Sequence, residues 1–305
     1  MPFTFHSHSG QFCRHAKGTL EDVVRAAISR NMLVLGLSEH IPRSRMQDLY
    51  PEESDMTTAD LHKAFRDYVA EARRLRDKYS SQISILIGAE SEYITAGSLE
   101  DVKQLRRVYS LDYIVGSLHH VDEIPLDFSD ELYQKIVDRC SGDRKEMFRR
   151  YFDAQLVMLK ELQPEVVGHF DLVRIFHPYT EGAEDPLDLA EIRALASRNI
   201  DYAISYGALF EVNSRAWKKG LPQAYPQRDL LQEILEKGGR ITISDDSHGE
   251  QDLGMHYDKL CSYLKEMGVG DLHYLERSPS GGVEAKVLRD AMDHPFWSLN
   301  GFCGV

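Results

Sequence analysis

Short apolar runs alternate with amphipathic stretches along most of the chain. The runs are FTFHS (3–7), LVLGLS (33–38), ISILIGAE (83–90), DYIVGSLH (112–119), EVVGHF (165–170), ALFEVNS (208–214) and RITISDDSH (240–248), with a weaker LHYLE at 272–276. Their lengths and β-branched content predict buried strands. Helix signals lie between them. TLEDVVRAAISR opens on Thr19 with Asp22 three residues on, close to a capping box. TTADLHKAFRDYVAEARRLRDKY keeps Leu61, Phe65, Tyr68, Val69, Ala72 and Leu75 at helical spacing, which predicts one buried face. SLEDVKQLRRVY again starts on a serine with an acidic residue three on, DRKEMFRRYFDAQLVMLKELQ ends before Pro164, and RDLLQEILEKGG stops at glycine. A strand followed by a helix, repeated about seven times, predicts an α/β fold with a parallel sheet and crossover helices. Seven or eight such units usually close into a barrel. An insert at 122–142 falls between units, and no linker or internal repeat divides the chain. One barrel domain is expected over 1–280, with 281–305 as a tail that holds a short helical segment at most.

Composition narrows the function. The 305 residues are 42% apolar, enough for one sizeable core, and the formal net charge is −13. That balance repels nucleic-acid backbones and anionic membrane surfaces, so neither is an expected partner. A phosphorylated substrate would need locally placed cations. Cys13, Cys140, Cys261 and Cys303 are scattered with no CxxC, which is neither a disulfide framework nor a zinc ribbon. No signal peptide is visible, and no apolar run approaches the ~20 residues needed to span a bilayer. A soluble, cytosolic protein is expected, and nothing in the sequence speaks to its oligomeric state.

The strand ends carry the chemistry. The first run ends in His6 and His8, one residue apart, so both face the same way in a strand. The next runs end in Glu39 and His40, in Glu90 followed by Glu92, in His119 and His120, and in His169 and Asp171. Glu211 and Asn213 share a face of the sixth run, and the seventh ends in Asp245, Asp246 and His248. A lone HxH is ordinary. A histidine or carboxylate on nearly every strand end is hard to explain as packing, because burying so many ionisable groups costs several kcal/mol per charge unless cations compensate. Barrel active sites form at this end of the strands. Histidine with carboxylate and no thiolate suits Zn²⁺, Mn²⁺ or Fe²⁺, and the ligands exceed the needs of one ion. Multinuclear sites of this kind hydrolyse phosphate esters.

The segments HSHSG, EH, GAE, GSLHH, GHFDL, EVNS and DDSH, in this order, resemble the polymerase-and-histidinol-phosphatase (PHP) superfamily. SEHIPR, YIVGSLHHVDEIPLDF, VVGHFDL, FEVNSRAWKK and SDDSHG resemble its histidinol-phosphate phosphatase branch of the fungal type. The likeness runs over roughly residues 5 to 276. It implies a distorted (β/α)₇ TIM-like barrel with three divalent metal ions. It implies His6, His8, Glu90 and Asp246 around one ion, Glu90 bridging to a second held by His119 and His169, and His15, His40 and His248 around a third. It also implies the reaction: hydrolysis of L-histidinol phosphate to L-histidinol and phosphate in histidine biosynthesis, by direct attack of a metal-bound hydroxide on phosphorus.

Asp246, His248 and Arg174 are the residues expected to act in catalysis. Arg174, just past a strand end, and Lys218, where the family usually carries arginine, are expected to meet the phosphate, with Glu211 and Asn213 also lining the pocket. Arg215 and Lys219 are neighbouring candidates. Glu39 is expected either to support a ligating histidine or to make a plain buried hydrogen bond, His120 to take a hydrogen-bonded role outside the ligands, Asp245 to cap a turn, and His62 to lie on the surface. His177, His256, His273 and His294 are expected to be structural. The other readings are a phosphoesterase for nucleotides or sugar phosphates, and a metal-binding protein without catalysis.

Overall fold

Seven of the apolar runs become neighbouring parallel strands. The computed structural model describes residues 3–176, 185–279 and 282–303, so His177 lies outside the described residues. In chain order the elements are β1 (Phe3–Thr4), β2 (Ser7–His8), α1 (Leu20–Ser29), β3 (Val34–Leu37), α2 (Thr58–Lys78), β4 (Ser84–Glu90), α3 (Ala96–Tyr109) and β5 (Tyr113–Gly116). A small hairpin of β6 (His120–Val121) and β7 (Ile124–Pro125) precedes α4 (Asp130–Arg139), α5 (Arg144–Leu162) and β8 (Val166–Val167). Then come α6 (Ala190–Ser205), β9 (Leu209–Asn213), α7 (Arg215–Lys218), α8 (Arg228–Glu236), β10 (Arg240–Ser244) and β11 (Ser247–His248). The chain finishes with α9 (Tyr257–Glu266), β12 (Leu272–Arg277), β13 (Val283–Leu288) and α10 (Phe296–Leu299).

The main sheet runs β1–β3–β4–β5–β8–β9–β10, with every neighbouring pair parallel. β10 returns beside β1, so the barrel is nearly closed. The seam is completed one step further along by β2 and β11, with Ser7 opposite Ser247 and His8 opposite His248. All strand ends that carry histidine or carboxylate therefore meet at one end of the barrel.

The helices obey their local signals. Thr19 caps α1 in a reciprocal box with Asp22. Leu61, Phe65, Tyr68, Val69, Ala72 and Leu75 are the buried face of α2. α3 begins earlier than its SLED signal suggests, because Thr95 is the cap and Ser98 sits where Asp101 was expected. The insert forms the β6–β7 hairpin and α4. The segment set apart as a tail is also structured over its described residues. β13 pairs antiparallel with β12, and Phe296 and Trp297 are buried beside Tyr257. Cys261 on α9 is joined to Cys303, a pair that spacing did not reveal because 42 residues separate them. Among the described residues no helix is long and apolar enough to cross a membrane.

Beneath the strand ends, Tyr113 fills the barrel interior. Its hydroxyl donates to the Phe5 carbonyl at 2.8 Å and lies 3.2 Å from that of Leu37. Glycines make the room: a Cβ at Gly36 would fall 2.3 Å from the Tyr113 oxygen and 2.9 Å from the Phe5 backbone, and one at Gly88 would enter the ring. Gly36→Ala should therefore lower stability by about 1–3 kcal/mol through overpacking. Thermal unfolding checks this, and an unchanged midpoint would mean that the ring can move aside freely.

Candidate metal centre

β4 ends on Glu90, and the site is arranged around this carboxylate, which is 1% exposed. Its Oε1 lies 2.9 Å from His6 Nε2, 3.2 Å from His119 Nε2 and 3.2 Å from His169 Nε2. Its Oε2 lies 2.9 Å from His40 Nδ1 and 3.4 Å from His8 Nε2. Asp246, which follows β10 with a positive φ of 45°, adds a second carboxylate 3.6 Å from His6 Nε2 and 3.5 Å from His8 Nε2. His119 and His169 approach each other at 3.2 Å.

A second cluster adjoins the first. His15, on the loop after β2, stacks near His248 with ring centres 4.8 Å apart and is 5.4 Å from the His40 ring. Potential ligand atoms of His15, His40, His248 and Cys13 all lie within 4.8 Å of one another. The same holds for the sets His6–His8–Asp246, His6–Glu90–His169 and His8–His40–Glu90. Nine strand-end and loop residues expected as ligands are thus brought together, and Cys13 joins them unannounced.

Outer carboxylates orient the rings. Glu211 lies 3.1 Å from His6 Nδ1 and accepts the His169 backbone N–H at 2.7 Å. Glu92 lies 3.2 Å from His119 Nδ1 and 3.5 Å from His120 Nδ1. Glu39 accepts from the Ser9 backbone N–H and hydroxyl at 2.8 and 2.7 Å and lies 3.7 Å from His8 Nδ1. Such partners leave the other ring nitrogen facing inward. Several inward groups have no hydrogen bond: His6 Nε2, both nitrogens of His8 and His40, and Glu90 Oε2. Buried polar atoms are rarely left so, and divalent cations would satisfy them.

The electrostatics agree with cation binding. Burial alone would raise the Glu90 pKa, but His6, His119 and His40 hold it well below the usual carboxylate range. Burial opposes protonation of His6, yet Glu90, Asp246 and Glu211 raise its pKa well above the usual value. A cation would take the place of that proton. Burial, reinforced by His40 and His8, lowers His15 to about 3, and burial with His8 and Arg215 pushes His248 well down. Those two rings are neutral at physiological pH, which is the ligating form.

A cleft of about 270 Å³ opens above the cluster, lined by ligand candidates together with Tyr50, Glu52, Asp127, Phe128, Arg215, Lys219 and Tyr225. Arg174 is not among its walls. Its guanidinium is buried against Asp171 at 3.1 Å, Asp185 at 2.9 Å and Asp229 at 2.8 Å, so it is a structural cation rather than a phosphate contact. Lys218 points away to Asp252 at 2.7 Å. Glu211 and Asn213 also do not line the cleft. Asn213 donates to Glu211 at 2.9 Å and accepts the Arg215 backbone N–H at 2.8 Å, which anchors the start of α7. The cations that do reach the cleft are Arg215 and Lys219. Arg215 Nη1 donates to the Asp246 carbonyl at 2.9 Å, while Nη2 makes no hydrogen bond to the described residues. Asp127 has neither hydrogen-bond nor ion-pair partner there. The LDF stretch was visible in the sequence, whereas no signal marked Tyr50 or Glu52.

Asp245 caps the turn after β10, accepting from Ser247 and Gly254 N–H at 3.2 and 2.7 Å. His62, His256, His273 and His294 lie outside the cluster, partly buried. Removal of Arg174 should leave the buried Asp171, and Asp185, without their cation, with Asp229 still paired to Arg193. Arg174→Met is expected to cost about 3–5 kcal/mol in denaturant unfolding, with binding of inorganic phosphate to the folded protein unchanged. Full stability with lost phosphate binding would return Arg174 to the cleft.

Comparison with known proteins identifies the family. The family model described as "PHP domain" matches residues 4–215. A Schizosaccharomyces pombe protein named "Probable histidinol-phosphatase" is 45% identical over 99% of both chains. The Saccharomyces cerevisiae "Histidinol-phosphatase" is 29% identical over 96% of this chain and 98% of its own. A solved structure of histidinol phosphate phosphatase from Lactococcus lactis, in complex with zinc, L-histidinol and phosphate, superposes with a TM-score of 0.64 at 21% identity, covering 89% of this chain and 95% of that one. The chain belongs to the PHP domain family and, within it, to the group of proteins named histidinol-phosphatase.

Proposed function

We propose that this chain is a cytosolic, metal-dependent phosphomonoesterase that hydrolyses L-histidinol phosphate to L-histidinol and phosphate in histidine biosynthesis. The observation that carries the reading is the Glu90 carboxylate encircled by five imidazoles at the floor of an open cleft. The shared name of the fungal relatives supports the substrate. The Lactococcus neighbour, holding zinc with L-histidinol and phosphate, illustrates what the fold accommodates. In a reducing cytosol Cys261 and Cys303 would stand as thiols.

Three divalent ions, Zn²⁺, Mn²⁺ or Fe²⁺, fit the donor set. His6, His8, Glu90 and Asp246 would hold the first, Glu90 with His119 and His169 the second, and His15, His40 and His248 the third. Ions so held supply Lewis acidity toward phosphoryl oxygens and activate water near neutral pH. The chain's own part is positioning. Glu211 orients His6 through a hydrogen bond to Nδ1, and Glu92 lies beside His119 Nδ1. Arg215 turns its open Nη2 toward the phosphate and Lys219 adds a second charge at the rim, which spreads the negative charge that builds on the oxygens. Tyr50 and Phe128, stacked with ring centres 5.6 Å apart, offer an aromatic wall to the imidazole. Asp127 is free to pair with the substrate ammonium.

The first test is phosphate release from L-histidinol phosphate, p-nitrophenyl phosphate and a nucleoside monophosphate, with and without chelator. A strong, chelator-sensitive preference for histidinol phosphate is expected. Comparable rates on all three would keep a phosphoesterase and discard the biosynthetic role. His119→Ala should abolish turnover while the protein remains folded, and unchanged turnover would sink the site. Asp127→Asn should raise KM for histidinol phosphate by roughly 10- to 100-fold, the worth of a hydrogen bond to a charged group, and leave p-nitrophenyl phosphate unaffected. An equal change on both substrates would remove Asp127 from ammonium recognition.

A further inference from the structure

The loop between β2 and α1 brings a thiol into the second cluster. Residues 9–16 turn tightly: the Cys13 N–H donates to the Ser9 carbonyl at 2.9 Å and the Ala16 N–H to the Cys13 carbonyl at 3.2 Å. This turn places Cys13 and His15 on the same side, with Cys13 Sγ 3.3 Å from His15 Nε2. Cys13 is buried, and His40 and His248 complete a group of four whose potential ligand atoms lie within 4.8 Å of one another. Four ligands around zinc, with Zn–S about 2.3 Å and Zn–N about 2.0–2.1 Å, stand about 3.3–3.6 Å apart at tetrahedral angles. The Cys13–His15 separation of 3.3 Å lies within about 0.3 Å of the sulfur–nitrogen edge of such a tetrahedron.

The rings around the thiol are preset for the task. His15 Nδ1 is 3.1 Å from Glu52 Oε1, so its Nε2 is the atom turned to the sulfur. His248 Nδ1 donates to the Asp246 carbonyl at 3.0 Å, which leaves Nε2 with a lone pair. Both ring nitrogens of His40 are buried without a hydrogen bond. A bare S–H···N contact would explain the Cys13–His15 pair, but not why His40 and His248 converge on it.

We propose that Cys13 is the fourth protein ligand of the third metal ion, which makes that position a Cys–His₃ site unlike the two histidine–carboxylate sites beside it. This rests on the three-ion reading above and adds a ligand to it. On binding, the thiol gives its proton to solvent and the thiolate sulfur donates an electron pair to the ion. A soft ligand favours zinc or iron over manganese. Four protein ligands, as many as the His6–His8–Glu90–Asp246 position has, would complete a tetrahedral set around that ion. An ion so held would also tie the His15 loop to the cleft that His15, His40 and His248 line.

Cobalt provides the test, because sulfur bonded to Co²⁺ gives an intense near-ultraviolet charge-transfer band that nitrogen and oxygen ligands do not. The full chain, stripped of metal and saturated with Co²⁺, should show this band. Cys140→Ser should retain it, since Cys140 lies at the end of α4 away from the cluster. Cys13→Ser should lose it while the visible cobalt bands of the other sites persist. No band in the saturated wild-type chain, or an undiminished band in Cys13→Ser, would overturn the proposal. A chain carrying Cys140→Ser, Cys261→Ser and Cys303→Ser keeps Cys13 as its one thiol and should retain the band, which decides the matter even if the Cys13 variant folds poorly. Phosphate release from histidinol phosphate, measured on the same cobalt samples, separates the two readings. Turnover without the band leaves the hydrolase and removes the ligand. The band without turnover leaves the ligand and removes the hydrolase.

Discussion

A single carboxylate, buried where a central strand of the barrel stops, sets the terms for this molecule. Glu90 can stay charged at 1% exposure only because positive or polar partners reach it from every side. Those partners come from β1–β2, β3, β5 and β8, so satisfying Glu90 requires most of the sheet to be in place. The wall of outer carboxylates follows from the same need. Glu211 hydrogen-bonds the outer nitrogen of His6, Glu92 lies beside that of His119, and Glu39 stands near His8. Function and fold draw on one set of contacts here, since the groups that would hold cations are also those whose burial would otherwise be intolerable.

Much of this arrangement was legible in the sequence, and the reason is periodicity. Parallel strands buried on both faces read as short apolar runs, and their chemistry falls at one end, so His6, His8, His40, Glu90, His119, His169, Asp246 and His248 could be collected without knowing a single distance. The α2 face was equally plain because six apolar residues repeat at helical spacing. What failed was the assignment of partners distant in sequence. Arg174 looked like a mouth residue because it follows a strand end, but its fate is decided by Asp185 and Asp229, which no local pattern connects to it. Lys218 and Lys219 are adjacent, and only the single turn of α7 determines which one faces the cleft. Glu211 and Asn213 were rightly placed on one face, yet that face lies behind the ligands and not in front of them.

The same limit applies to the chain's end. β13 lacks the continuous apolar run of a barrel strand because none of its residues is fully buried, so residues 283–288 read as a tail. The burial of Trp297 and the joining of Cys303 to α9 depend on contacts made across some forty residues. Cys13 escaped notice for a different reason. A lone cysteine carries no signal until a turn sets it beside His15.

The way the barrel closes has a consequence of its own. The last seam is not sewn by apolar strand pairing alone but also by β2 against β11, where His8 stands opposite His248 and the Ser247 N–H reaches the His6 carbonyl at 3.3 Å. The staves on either side of that join are therefore fastened by the same residues that crowd around the cations. Ions held by those residues would tie the first staves of the barrel to the last, so that filling the site and closing the cylinder become one event.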